Sequence, residues 1–351
     1  MAERWDGSTW SLQSTSNPTG SAQSDLRGVS CPTGKSCTAV GASGTQFGAL
    51  ITTLAERWNG TAWSLMSTPN PLDQADTELQ GVSCTSPSAC TAVGFVADNN
   101  AMTASPVAER WNGTGWSLQS VPVPETNLAA AAWLYGVSCS TGHNCVAVGY
   151  YNPQPGGAGF LVPFSERWNG SSWSVLRVPV PTGTTSAQLT GVSCTAPSAC
   201  IAVGASSTDG FATSVRLAER WNGTVWSLES VPNPGPASTP ELAQVACPSS
   251  AVCTAVGTNF GNSEGVAARW SGGTWAPQSI AAHGISLSGV SCSTVLTCIA
   301  VGHGTDSAGS AVTFAAGWTS PSTAQVALHR TVHRHHRTAH RVHSRHTSRT
   351  Y

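Results

Sequence analysis

Along most of the chain, short apolar runs alternate with small and polar residues, and turn residues interrupt them every few positions. That is the pattern of β-strands, not of helices. The runs recur. "LRGVSC" at 26–31 returns as "LQGVSC" (79–84), "LYGVSC" (134–139), "LTGVSC" (189–194), "LAQVAC" (242–247) and "LSGVSC" (287–292). A second Cys follows after five residues, in "CTAVG" or a variant of it. Then come a loop of varied length, "ERWNG", "TxWSL" and a Pro-rich link. The whole is a unit of about 50 residues.

Each unit predicts four short strands: A ("GVSC"), B ("CTAVG"), C ("LAERW") and D ("TAWSL"). A and B bracket five turn-like residues and form a hairpin. C and D flank Asn59-Gly60, a strong hairpin signal in which both turn residues are expected to take positive φ. In such a two-residue turn Trp58 lies opposite Thr61 and Glu56 opposite Trp63. The two indoles then pair diagonally on one face and supply a core to a sheet of small residues.

Six such units predict an all-β, six-bladed β-propeller of four-stranded antiparallel blades. The pattern resembles the blades of kelch-type and Asp-box propellers, in which a Gly-containing turn leads into a Trp of the outer strand. The resemblance covers roughly residues 2–318 and implies the propeller architecture. The kelch Gly-Gly doublet is absent, and the Asp-box order appears as Asn-Gly-x-x-Trp. The chain opens mid-unit with "AERWDGSTWSL". The hairpin 2–13 is therefore expected to complete the blade begun by 287–303, although "FAAGW" (314–318) competes for one strand position. The alternative is a seven-bladed chain whose true N-terminus lies upstream. The domain reading is a propeller over 1–320 and a disordered His/Arg-rich tail over 321–351.

Charge separates these two parts. Residues 329–351 hold six Arg, seven His and no acid, which leaves the body with 10 basic and 17 acidic residues. The plain reading of the tail is low-complexity disorder; its chemical role would be to hold an anionic polymer or a transition metal. No window approaches the roughly 20 apolar residues of a membrane span. The opening "MAERWDG" shows no signal peptide.

The cysteines argue for export all the same. The pairs Cys31/Cys37, Cys84/Cys90, Cys139/Cys145, Cys194/Cys200, Cys247/Cys253 and Cys292/Cys298 account for all 12. Zinc favours Cys-x2–4-Cys knuckles with a second pair nearby. A disulfide clamping each A–B hairpin fits the spacing better, at about 2 kcal/mol per bridge. Six bridges imply an oxidising compartment, hence an extracellular or cell-surface protein with a truncated or mis-assigned start.

The A–B and C–D turns are nearly identical in every unit, whereas the B–C and D–A connections vary. A ligand is expected on the varied face. The candidates are Asp98, Asn99, Asn100, Trp133, Tyr150, Tyr151, Asn152, Asp209, Phe211, Asn259, Phe260 and Glu264. Aromatic, amide and carboxylate groups suit a carbohydrate or protein surface. The function read from this is a binding or adhesion module, expected to be a monomer. The alternatives are a glycoside hydrolase- or lyase-like propeller, in which Asp98, Asp209 and Glu264 converge, and a purely structural surface protein. No catalytic constellation, metal site or cofactor motif is recognisable. The Glu-Arg pairs of "ERW" recur in five copies and read as pairing or capping of the adjacent blade. The Asn-Gly-Thr/Ser sequons are already explained by the turn.

Overall fold

The structure is a computed structural model. It describes residues 2–45, 50–71, 75–98, 103–124, 131–153, 160–233, 239–278, 280, 284–305, 309–318 and 329–332, with the backbone alone for Asp98 and 329–332. All regular elements among the described residues are strands. No helix is long and apolar enough to cross a membrane.

A two-stranded hairpin comes first, β1 (Ala2–Trp5) and β2 (Trp10–Gln13). Six four-stranded antiparallel blades follow in chain order. Blade 1 is β3 (Gln23–Thr33), β4 (Ser36–Gly44), β5 (Ile51–Trp58) and β6 (Trp63–Met66). Blade 2 is β7 (Asp76–Ser86), β8 (Ala89–Asp98), β9 (Thr103–Trp111) and β10 (Trp116–Gln119). Blade 3 is β11 (Ala131–Thr141), β12 (Asn144–Asn152), β13 (Val162–Trp168) and β14 (Trp173–Arg177). Blade 4 is β15 (Ser186–Ala196), β16 (Ala199–Ser207), β17 (Val215–Trp221) and β18 (Trp226–Glu229). Blade 5 is β19 (Pro240–Ser249), β20 (Val252–Asn259), β21 (Glu264–Ser271) and β22 (Trp275–Gln278). Blade 6 is β23 (Ile285–Cys292), β24 (Cys298–Thr305), β25 (Ala311–Trp318) and β26 (His329–Val332). The fold is thus a six-bladed β-propeller with strand A innermost, as the repeat predicted.

Blade 6 corrects one expectation. Its third strand is "FAAGW" itself and its fourth is His329–Val332, so the hairpin 2–13 does not complete it. The hairpin stays a separate sheet beside blade 1. Arg4 lies over the Trp58 ring, 5.3 Å from its centroid, and Ser16 N–H donates to Glu56 Oε2. On its other side Thr313 of β25 donates to Glu3 Oε1.

The C–D turn also differs from expectation. Trp58 pairs directly with Trp63, with ring centroids 5.8 Å apart, and the loop is four residues long. Only Gly60 takes positive φ, at 103°. The Asn59 side chain holds the rest: its Oδ1 accepts from Thr61 N–H, Thr61 O–H and Ala62 N–H. Asn112, Asn169 and Asn222 do the same. Asp6 does it in the first hairpin. An Asx side chain that mimics a backbone turn explains why Asn or Asp stands here.

Every Cys-x5-Cys pair is a disulfide, and no cysteine is free, so none is left for zinc. The two residues of a pair face each other on strands A and B, with Cα atoms about 4.0 Å apart in the second blade.

The bridges clamp each A–B hairpin, as the spacing predicted, and also enter the core. The second cysteine of each pair, Cys37, Cys90, Cys145, Cys200, Cys253 and Cys298, is buried. Five of them, Cys90, Cys145, Cys200, Cys253 and Cys298, belong to the apolar clusters between blades. The reason is that strand B is covered by the preceding blade. The Thr38 and Thr91 hydroxyls of blades 1 and 2 lie 3.6 Å from the Cys90 and Cys145 sulfurs of the next blade. These cysteines are therefore core residues as well as cross-links, and their sulfurs do not face a ligand surface.

The core sits between blades and not within them. Five apolar clusters join blades 1 and 2, 2 and 3, 3 and 4, 4 and 5, and 5 and 6. In each, the Val of "AVG" packs under the Leu of the next "LxGVSC". The "GVSC" words are read at the same junctions. The first-Cys N–H of blades 2, 3, 4 and 5 donates to the Ser hydroxyl one blade back: Ser30, Ser83, Ser138 and Ser193. The Gly is there because inner strands touch. A Cβ on Gly81 would stand 2.6 Å from the Tyr135 carbonyl oxygen.

The "ERW" pair divides its labour. Arg57 and Arg110 lie over Trp111 and Trp168 of the next blade, which is the capping role. The Glu is buried. Glu109, Glu166 and Glu219 are fully enclosed, and their carboxyl oxygens have no protein partner. Burial pushes each up to about 8. Glu56 differs because Ser16 supplies an N–H. Six residues after the preceding Trp, where Ser16 follows Trp10, the other links carry Pro69, Pro122 and Pro179, which have no N–H to give.

Candidate binding site at the ring centre

The innermost strands are bulged at one place. Registers slip between Leu26 and Gly28, and likewise at Leu79/Gly81, Leu134/Gly136, Leu189/Gly191, Leu242/Gln244 and Leu287/Gly289. A bulge re-aims side chains. It also drives the carbonyl before each Leu against strand B. A Cβ on Gly94 would lie 1.9 Å from the Glu78 oxygen, so the Gly of "AVG" is obligatory.

The Leu goes into the junction core, and the residues on either side of it meet across neighbouring inner strands. These flanking pairs are Asp25/Arg27, Glu78/Gln80, Trp133/Tyr135, Gln188/Thr190, Glu241/Ala243 and Ser286/Ser288. The site therefore carries a different pair from each blade on one repeated backbone.

On blades 1 and 2, Arg27 bridges Asp25, at 2.6 Å, and Glu78. Gln80 donates to Glu78 as well. Desolvation works against the Arg27 charge, but the two carboxylates outweigh it and hold its pKa above the ordinary value. A cleft of about 230 Å³ opens beside this group, lined among others by Asp25, Arg27, Ser43, Ile51 and Glu78.

On blade 3 the group is aromatic. Tyr135 and Tyr150 stack with centroids 5.2 Å apart and an interplanar angle of 19°, and their hydroxyls hydrogen-bond at 2.8 Å. Trp133 tilts against Tyr150 at 5.4 Å, and Phe95 of blade 2 tilts against Tyr135 at 6.4 Å. All four residues lie on inner strands at the end nearest the varied loops. Burial raises the pKa of both phenols, so they remain neutral donors and acceptors. On blades 4 and 5, Gln188 Nε2 donates to Glu241 Oε2 at 3.1 Å. Burial raises the Glu241 pKa, against the pull of that bond and of one from Ser214. The Glu241 charge also acts on Tyr150, and that of Glu78 on Tyr135.

The sequence candidates are placed unevenly. Trp133 and Tyr150 are in this aromatic group. Tyr151 turns the other way, edge-on to Phe164 at 6.1 Å and against the junction core. Asn152 ends β12 opposite Ala131. Asp98 ends β8 opposite Thr103, and Asn99 and Asn100 lie outside the described residues. Asp209 builds its own loop, accepting from Ser207, Thr213 N–H and Thr213 O–H, which hold its carboxyl down at about 2. Phe211 in that loop has φ of 70°. Asn259 is buried, and its Oδ1 accepts from Thr239 and Gly261 N–H. Phe260 is exposed, and Glu264 accepts from Asn262 at 2.7 Å.

Asp25, Arg27, Glu78, Tyr135, Gln188 and Glu241 were not among the sequence candidates. The signal was in the text. Inside the most regular word, "LxGVSC", the x changes in every copy and the residue before Leu takes five identities in six copies. Three of the four Tyr of the chain also fall in blade 3.

Two solved structures share this architecture. A fucose-specific lectin from Aleuria aurantia superposes with a TM-score of 0.51 at 11% identity, covering 83% of this chain and 91% of its own. A Hadza microbial sialidase, Hz136, gives a TM-score of 0.51 at 11% identity over 79% of this chain. This chain spans 65% of that sialidase. At such identity the likeness is one of fold. No protein-family model and no curated protein matches the sequence.

Proposed function

We propose that the protein is an exported carbohydrate-binding propeller whose site is the ring-centre belt. The observation that carries this reading is the aromatic group Phe95–Tyr135–Tyr150–Trp133 flanked by Glu78 and Glu241. A sugar ring offers an apolar C–H face and a rim of hydroxyls. The aromatics meet the first, and the carboxylates, Gln188 and Arg27 meet the second. The cleft beside Arg27 has room for a single sugar ring. A fucose-specific lectin and a microbial sialidase with the same fold lend support. Export rests on the six bridges, which persist in oxidising compartments.

The test is a glycan array with the disulfide-intact protein, followed by calorimetric titration of the strongest hit. Binding that is lost in Tyr150→Ala supports the reading. Uniform silence on the array would sink it. Release of free sugar from a bound glycan would move the assignment to a hydrolase using Glu78 or Glu241. Peptide mapping without reduction, on protein from its natural host, tests export: free thiols there would refute it.

A further inference from the structure

The circle of blades has five closed junctions and one open one. At the closed junctions the Val of "AVG" is sealed: Val40, Val93, Val148, Val203 and Val256 are 0% exposed. On blade 6 the same position, Val301, is 39% exposed. The facing side is bare as well. Val29 of blade 1 is 62% exposed, whereas its equivalents Val82, Val137, Val192 and Val245 are buried. Strands β3 and β23 do not pack together as successive inner strands elsewhere do. A Cβ on Gly289 would meet only Val301 of its own blade, although the corresponding Gly28, Gly81, Gly136 and Gly191 each abut the next inner strand.

The outer half of that gap is occupied. Strands β1 and β2 are a C–D hairpin by sequence and by register, with Trp5 opposite Trp10. Arg4 makes to Trp58 the contact that Arg57 makes to Trp111. The hairpin thus holds the position of outer strands, and among the described residues no strand lies along the other edge of β1. Trp5, with no inner strands beside it, is 37% exposed.

We propose that this gap is a docking site for one disulfide-closed β-hairpin of the L-x-G-V-S-C-x5-C-x-A-V-G kind. The five closed junctions show what covers these faces: an A–B hairpin, disulfide-closed at its turn and, in four of the five, narrow at its Gly. An incoming hairpin lays its B strand along β1, adding to that sheet edge by main-chain hydrogen bonds. Its Leu covers Val301, and its own Val seals against Leu26 and Val29. Its first-Cys N–H reaches Ser291, as Cys84 reaches Ser30.

The probe is the oxidised synthetic peptide 76–98 of this chain, titrated by calorimetry into the full-length protein. One-to-one binding and a raised Tm are expected. Val29→Asp and Val301→Asp change exposed side chains, so both variants should fold while binding at least tenfold more weakly. The control Val215→Asp, exposed on a distant outer strand, should bind normally. No saturable binding, or binding indifferent to Val29 and Val301, overturns the proposal. So does a dimer at micromolar concentration that Val301→Asp dissolves, because the occupant is then a second copy.

Discussion

Two kinds of position coexist on the innermost strands. Leu79, Gly81, Val82, Ser83 and Cys84 repeat from blade to blade, except that blade 5 carries Gln244 and Ala246 at the Gly and Ser positions, and each has a structural duty: junction core, strand contact, junction core, inter-blade hydrogen bond, disulfide. The pair Glu78/Gln80, interleaved with them, recurs in no other blade, and Glu78 meets both Arg27 and Gln80. The difference teaches how a repeat protein acquires a site. The bulge is copied six times to build the ring, and the side chains it re-aims are left free to diverge.

Substitutions sharpen this comparison, because a repeated position should cost stability equally in any blade and spare ligand. The largest effect belongs to the "AVG" glycine. Gly94→Ala, with 1.9 Å between its new Cβ and a carbonyl oxygen, should cost more than about 4 kcal/mol. Gly257→Ala should match it, as denaturant unfolding would show.

The buried carboxyls come next. Glu109, Glu166 and Glu219 have folded pKa values raised from 4.5 to about 8. The folded state therefore holds protons that the unfolded chain has released. Their stabilisation is complete below about pH 4.5 and is lost as pH rises to about 8, by up to about 1.4 kcal/mol per group and unit. Tm should fall between pH 5 and 8, and the triple Glu→Gln variant should flatten that slope. Glu56, which accepts from Ser16, should contribute least to it.

Opening one bridge, as in Cys84→Ala/Cys90→Ala, should cost about 2 kcal/mol, with a similar loss in any other blade. Asn59→Ala removes an oxygen that accepts three hydrogen bonds at an exposed turn and should cost about 1 kcal/mol. Asn59→Asp should be close to neutral, since Asp6 already holds the same turn.

The repeat made most of the fold legible. Blade number, strand order and the six disulfides follow from spacing and β-patterning. The spacing did not reveal that Cys90 and its counterparts are core residues, because that depends on how the neighbouring blade packs. The misreadings were local or topological. Trp58 and Trp63 pair directly because Asn59 closes a four-residue turn through its side chain, which the Asn-Gly doublet does not announce. The hairpin 2–13 stands apart because "FAAGW" takes the strand position it was expected to fill. The site was half legible. Trp133 and Tyr150 stood out as aromatics foreign to the repeat. Glu78, Arg27 and Glu241 hid within it, since a strand pattern does not reveal a bulge and the long loops carry the more visible variation.

The most direct measurement is the dissociation constant of the strongest-binding glycan for Tyr150→Ala and Trp63→Ala, each alongside its Tm. Tyr150 is outside the repeat and Trp63 within it. Tyr150→Ala is expected to weaken binding at least tenfold in a folded protein, while Trp63→Ala lowers Tm and leaves the constant unchanged. An unchanged constant in Tyr150→Ala, or a lost one in Trp63→Ala, would contradict a site built from the divergent positions of the ring centre.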